Sequence, residues 1–156
     1  MSSLQQQFLA VTDEQKRSVH FVLGQHALAQ WTAFVASRWT VTYADSVCGT
    51  CQTVDTTLPG DALKCARQST DTARVEERYG EPLVALQDGD LDFPGPIRFA
   101  YFALYNLFMK YAGIENIDDW LIVNQALASE ADESQWSPLL AAPIQEALNS
   151  TQCGPR

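Results

Sequence analysis

Residues 97–112 limit the possible folds of this chain more than any other segment. Ile97, Ala100, Tyr101, Leu104, Leu107, Phe108, Tyr111 and Ala112 recur at helical spacing and share one face. Phe99, Phe102 and Met109 make most of the remaining surface apolar too. A helix apolar on most sides has to sit in the middle of a bundle, because no long side of it can face water without loss. A chain of 156 residues, 46% apolar, has the material for one domain with a full-sized core. The expectation is an all-α single domain over residues 1–156, with about six to eight helices around this central one.

The surrounding helices are read from caps and periodicity. Thr12, followed by Asp13, Glu14 and Gln15, has the form of a capping box. Val19, Leu23, Ala27, Trp31 and Val35 then form an apolar stripe, giving a helix to Arg38 or beyond. Residues 39–58 have both characters. Trp39 to Tyr43 has strand propensity, yet Trp39, Tyr43, Val47, Cys51, Val54 and Leu58 keep a helical period. Helix is favoured, since no second strand is evident to pair with. Pro59-Gly60 is read as the end of this element.

Asp61 starts a short helix through Arg67, and Ser69-Thr70-Asp71 starts another that stops at Gly80. Pro82 opens a third, through about Gln87, before a loop from Asp88 to Pro96. Gly113 closes the central helix. Asn116 caps a helix over 117–128, whose stripe is Ile117, Trp120, Leu121, Asn124, Leu127 and Ala128. Ser129 to Ser134 is an acidic loop, and Ser137-Pro138 opens the last helix, which Pro143 breaks or restarts. Residues 150–156 read as a loose tail.

The charge is lopsided. Residues 81–133 carry ten acids against Arg98 and Lys110, a balance of −8, while residues 1–80 carry eight acids and seven bases, a balance of −1. Most of the net −9 therefore falls in one third of the chain. Such a field repels nucleic acid and anionic membrane and attracts basic surfaces. No apolar run approaches the roughly 20 residues that span a bilayer. The segment Met1-Ser2-Ser3-Leu4-Gln5-Gln6-Gln7 has neither a basic region nor an apolar core of a signal peptide, so a cytoplasmic location is expected.

Among motif-like strings, Cys48-Gly49-Thr50-Cys51 stands out. A redox C-x-x-C needs a preceding strand and a helix N-terminus. A zinc site would use Cys48, Cys51 and Cys65 with a fourth ligand such as Asp45 or His26. Packing of two small residues on one helix face is the plainer reading. His20 and His26 are six residues apart and cannot face one another on a helix. Asp88-Gly89-Asp90-Leu91-Asp92 opens like a calcium loop, but Phe93 and Phe99 stand where glycine and glutamate are needed. Asp118 and Asp119 suit the first turn of a helix, where its dipole favours them. No phosphate loop, dinucleotide fingerprint, nucleophile elbow or di-iron pattern occurs. The expectation is a protein that is not an enzyme and needs no cofactor or metal.

Four strings resemble one kind of small acidic bacterial protein: residues 45–50, residues 85–92, residues 100–108 and residues 118–127. They are similar to cytoplasmic immunity proteins that neutralise the toxin domains of polymorphic toxin and secretion systems. The resemblance implies a tight, stoichiometric inhibitor that covers a toxin's active site. It transfers no residue-level binding motif.

The function expected is therefore that of an acidic binding protein whose partner is a basic protein, a cognate toxin domain. Asp88, Asp90, Asp92, Asp118, Asp119, Glu130, Asp132 and Glu133 would meet its basic cleft, with Phe93, Trp120 or Trp136 as aromatic anchors. The alternatives are a small helical-bundle enzyme or metal protein using Cys48, Cys51 and Cys65, and an adaptor or DNA-mimicking inhibitor. Nucleic acid itself is not an expected partner, because the ten Lys and Arg residues form no basic face.

Overall fold

A computed structural model describes residues 2–38, 40–44 and 49–152, the last two by their backbone alone. The described chain is all-α apart from one hairpin. Its elements are α1 (Ser3–Ala10), α2 (Asp13–Ala36), β1 (Thr42–Ala44), β2 (Cys51–Thr53), α3 (Leu58–Gln68), α4 (Thr72–Asp88), α5 (Gly95–Tyr111), α6 (Asp119–Ala128), a 3-10 turn (Glu133–Gln135) and α7 (Trp136–Gln152).

The central helix is where its composition puts it. α5 packs against α2, α3 and α6, and buries Ala100, Tyr101, Ala103, Leu104, Leu107, Phe108 and Met109. α2 lies beside it as the longest helix. The Thr12 hydroxyl accepts from the Gln15 N–H at 3.2 Å, and the Gln15 side chain accepts from the Thr12 N–H at 2.9 Å, completing the capping box. Val19, Leu23, Ala27 and Trp31 are buried along its stripe. α7 packs on α2, and α1 packs on α7.

Gly24 marks the closest approach of α2 to its neighbours. A Cβ there would lie 2.9 Å from Leu107 Cδ1 and 3.4 Å from Leu63 Cδ1, so α2, α3 and α5 meet over a missing side chain. Gly24→Val is expected to lower the unfolding free energy by about 2–3 kcal/mol in a urea titration, by overpacking this junction.

Several local expectations give way to packing. Residues 39–58 are not a helix. β1 pairs antiparallel with β2 in the register Thr42↔Thr53, Tyr43↔Gln52 and Ala44↔Cys51, and the Val54 N–H donates to the Val41 carbonyl at 2.7 Å. The missing partner strand comes from the same segment, a few residues on. Val41, Tyr43 and Val54 turn to the core, while Cys51 faces water. Pro59 does not end an element; it sits in the first turn of α3, where its missing N–H costs nothing.

Gly80 and Pro82 do not divide α4, which runs unbroken because Val75, Tyr79, Pro82, Leu83 and Leu86 bury one continuous face. Pro143 likewise lies inside α7, beside buried Leu140 and Ile144. That helix reaches Gln152, so the chain is helical for three residues into the expected tail. α6 starts two residues later than expected, capped by Asp118, whose side chain accepts from the Leu121 N–H at 2.9 Å. Its buried face is Ile122, Val123, Ala126 and Leu127; Asn124 and Leu121 are exposed. α1 has no counterpart in the reading of the sequence. Ser2 caps it, and its Phe8 is fully buried.

Candidate functional site

α4 and α6 flank α5 without closing over its outer face. The result is a groove of about 510 Å³. Leu83, Val84 and Gln87 of α4 form one wall, and Gln125 of α6 stands on the other. Phe102, Tyr105 and Asn106 of α5 are the floor. The Asn106 amide donates to Gln125 Oε1 at 2.8 Å, tying floor to wall. Gly80 keeps the α4 wall low, since no atom lies within 4 Å of where its Cβ would be. The Tyr105 ring rests on the buried ring of Tyr79, with centroids 5.2 Å apart. Val84 on the α4 wall stays in water, 54% exposed.

Acids surround it. Glu76, Gly80, Val84 and Asp88 succeed one another at four-residue spacing, so a carboxylate stands at each end of the exposed stripe of α4. Burial raises the Tyr105 phenol above its ordinary pKa, and the charges of Glu115 and Glu76 raise it further. Among the described residues Tyr105 is the one ionisable side chain lining the groove, and it stays protonated at neutral pH. The groove therefore offers apolar contact, hydrogen bonding and a negative surround.

The acids expected to form one binding face do not all lie together. Asp88, Asp90 and Asp92 are exposed around the turn between α4 and α5, where Gly89 (φ +82) lets the chain reverse. Glu130, Asp132 and Glu133 lie between α6 and α7. Asp118 and Asp119 belong to the far end of α5, where Lys110 meets Asp119 at 2.9 Å. The 17 residues of α5 put these ends roughly 25 Å apart.

Four acids are also engaged locally, Asp118 through its cap on the Leu121 N–H. Lys16 joins Lys110 on Asp119, at 3.7 Å, so that carboxylate is neutralised inside the protein. His26 Nε2 lies 3.3 Å from Glu130. The Ser134 hydroxyl and N–H both donate to Asp132 and hold its carboxyl below the usual carboxylate range. Glu133 is exposed in the turn before α7.

The aromatic anchors are corrected in part. Phe93 is 4% exposed and lies among Trp31, Phe34 and Tyr101, so it belongs to the core and not to the surface. Trp120 is half-buried against Phe8, and the Trp136 indole donates to the Glu130 carbonyl at 2.9 Å.

Of the thiols, Cys51 is exposed on β2, while Cys65 is buried with its S–H directed at the Thr70 carbonyl. Asp45, Cys48 and Cys153 lie outside the described residues. Among those described, no three His, Cys, Asp or Glu side chains converge where a metal ion could sit.

Glu76, Glu115, Val84, Phe102 and Tyr105 were not candidates from sequence. Glu76 and Glu77 fall just before residue 81, where the acidic third of the chain was taken to begin. The available signal was Val84 standing out between Gly80 and Gln87 on a helix rich in glutamate. No helix among the described residues is long and apolar enough to cross a membrane. The chain matches no protein-family model, no curated protein and no solved structure.

Proposed function

We propose that this chain is an acidic binding protein that covers a basic cleft on a protein partner, a cognate toxin domain in the reading that the sequence resemblance implies. The observation that carries this is the groove over α5. It joins an aromatic and amide-lined centre to the α4 carboxylates Glu76 and Asp88, with Asp90 and Asp92 on the adjoining turn. A desolvated centre gives slow dissociation, and a negative surround steers a cationic partner toward it. Asp119 and Glu130 are left out of this surface, because lysine and histidine already occupy them.

The test is co-purification of the chain with the product of its neighbouring gene, followed by stopped flow of that pair across a range of salt. Glu76→Lys combined with Asp88→Lys should slow association about ten-fold at low salt and flatten its salt dependence. Val84→Asp should chiefly speed dissociation. Stoichiometric chain should abolish the toxin's activity. On-rates and off-rates that ignore all three substitutions would remove this surface from consideration.

A further inference from the structure

A second groove carries two arginines, although acidic side chains outnumber Lys and Arg 19 to 10. Lys16, Lys110, Arg74 and Arg78 each lie against a carboxylate. Arg17 and Arg67 have no carboxylate partner among the described residues. Both guanidiniums are instead placed over Phe21, with Cζ 4.8 and 4.9 Å from the ring centroid. Arg17 is also 5.1 Å from the centroid of Tyr111.

Stacking on a ring uses the flat face of a guanidinium and leaves its N–H edge free to donate. Arg17 and Arg67 each keep N–H donors suited to the oxygens of a divalent anion. They border a groove of about 840 Å³ that Ser18, Val22, Gln25 and Ala29 of α2 also line. That size suits a small molecule. Ser18 and Gln25 add polar donors, and Val22, 47% exposed, adds an apolar surface. Lys64, exposed and one turn before Arg67 on α3, adds positive charge to the same side. His26 also lines the groove, with Glu130 drawn onto its ring.

We propose that this groove is a binding site for a small phosphomonoester, whose phosphate is held by the Arg17 and Arg67 guanidiniums and whose organic body lies along Val22 and Ala29. The site shares no residue with the groove over α5, and its failure or success leaves that surface untouched.

The experiment titrates the full chain with phenyl phosphate and with inorganic phosphate, balancing ionic strength with chloride. Arginine Nε–H signals and the amides of Ser18, Val22 and Gln25 are followed by NMR. Saturable shifts confined to this groove are expected, with phenyl phosphate the tighter ligand. Arg17→Gln with Arg67→Gln should weaken phenyl phosphate about ten-fold or more. The single exposed change Arg67→Lys, which keeps the charge and loses the fork, should also weaken it. Shifts that never saturate, an equal response to chloride, or substitutions without effect would overturn the site. Equal affinity for the two phosphates would overturn its assignment to an organic ester.

Discussion

Trp31→Ala is expected to cost about 4 kcal/mol of stability, a loss large enough to unfold a marginal domain. Trp31 is 1% exposed, and its ring packs on Tyr101 at 5.2 Å, Phe93 at 5.4 Å and Phe34 at 6.1 Å between centroids. Its indole N–H donates to the Thr56 carbonyl at 2.9 Å, which fastens the segment between β2 and α3 to the core. Truncation would leave a void under three rings and that carbonyl without its donor. The two contributions can be separated. Trp31→Phe keeps most of the ring contact and removes the donor, so it should cost about 1–2 kcal/mol. Urea unfolding of the three proteins measures both. An alanine variant within about 1 kcal/mol of the parent would contradict this account of the core.

Acidification is the second large effect, and it runs through His20. This side chain is fully buried, with Nδ1 2.6 Å from the Tyr111 hydroxyl and Nε2 2.9 Å from the Asp119 carbonyl. A neutral imidazole with its hydrogen on Nε2 satisfies both contacts: it donates to the carbonyl and accepts from the phenol. Burial is the main reason that its pKa is lowered from 6.5 to about 4. Asp119 opposes this, while Lys110 and Lys16 add to the lowering.

The unfolded chain therefore binds this proton first as pH falls. Stability from His20 is complete above the unfolded value of 6.5 and declines as pH drops toward about 4. The full loss is roughly 3 kcal/mol. Urea midpoints at a series of pH values should fall through this window. His20→Gln, less stable at neutral pH, should flatten that part of the profile, because it removes the buried imidazole whose pKa is lowered. An unchanged slope in the variant would show that His20 is not the group responsible.

How much of this was legible in advance varies by element. α2 was readable because its signals are local: a hydroxyl and an amide three residues apart make the cap, and a four-residue period makes the stripe. α5 was readable because its composition leaves one burial environment. α6 was not. Its ten residues include apolar side chains on nearly every side, so two registers compete in the sequence. Contact with α2, α5 and α7 selects the one that buries Ile122 and Val123 and leaves Asn124 in water. Gly80, Pro82 and Pro143 are breakers by local rule, yet each lies within a helix whose buried face outweighs that penalty. The hairpin was hidden because a three-residue strand is too short to show a period, and its partner lay in the same ambiguous segment.

The candidate sites were less legible than the fold. A count of charge along the chain finds the acids but not their neighbours. It grouped Asp119 with Asp92, which α5 holds apart, and it separated Glu76 from Asp88, which one face of α4 brings into line. It also could not see that Lys16, far away in sequence, neutralises Asp119.

What the sequence alone determined is the helical class, the central place of α5 and the excess of negative charge, since these follow from composition and from periods a few residues long. Which carboxylates remain free, which rings are covered, and where a groove opens were decided by the tertiary structure. The physical reason is that burial and charge pairing depend on distances in space between residues that the chain order keeps apart.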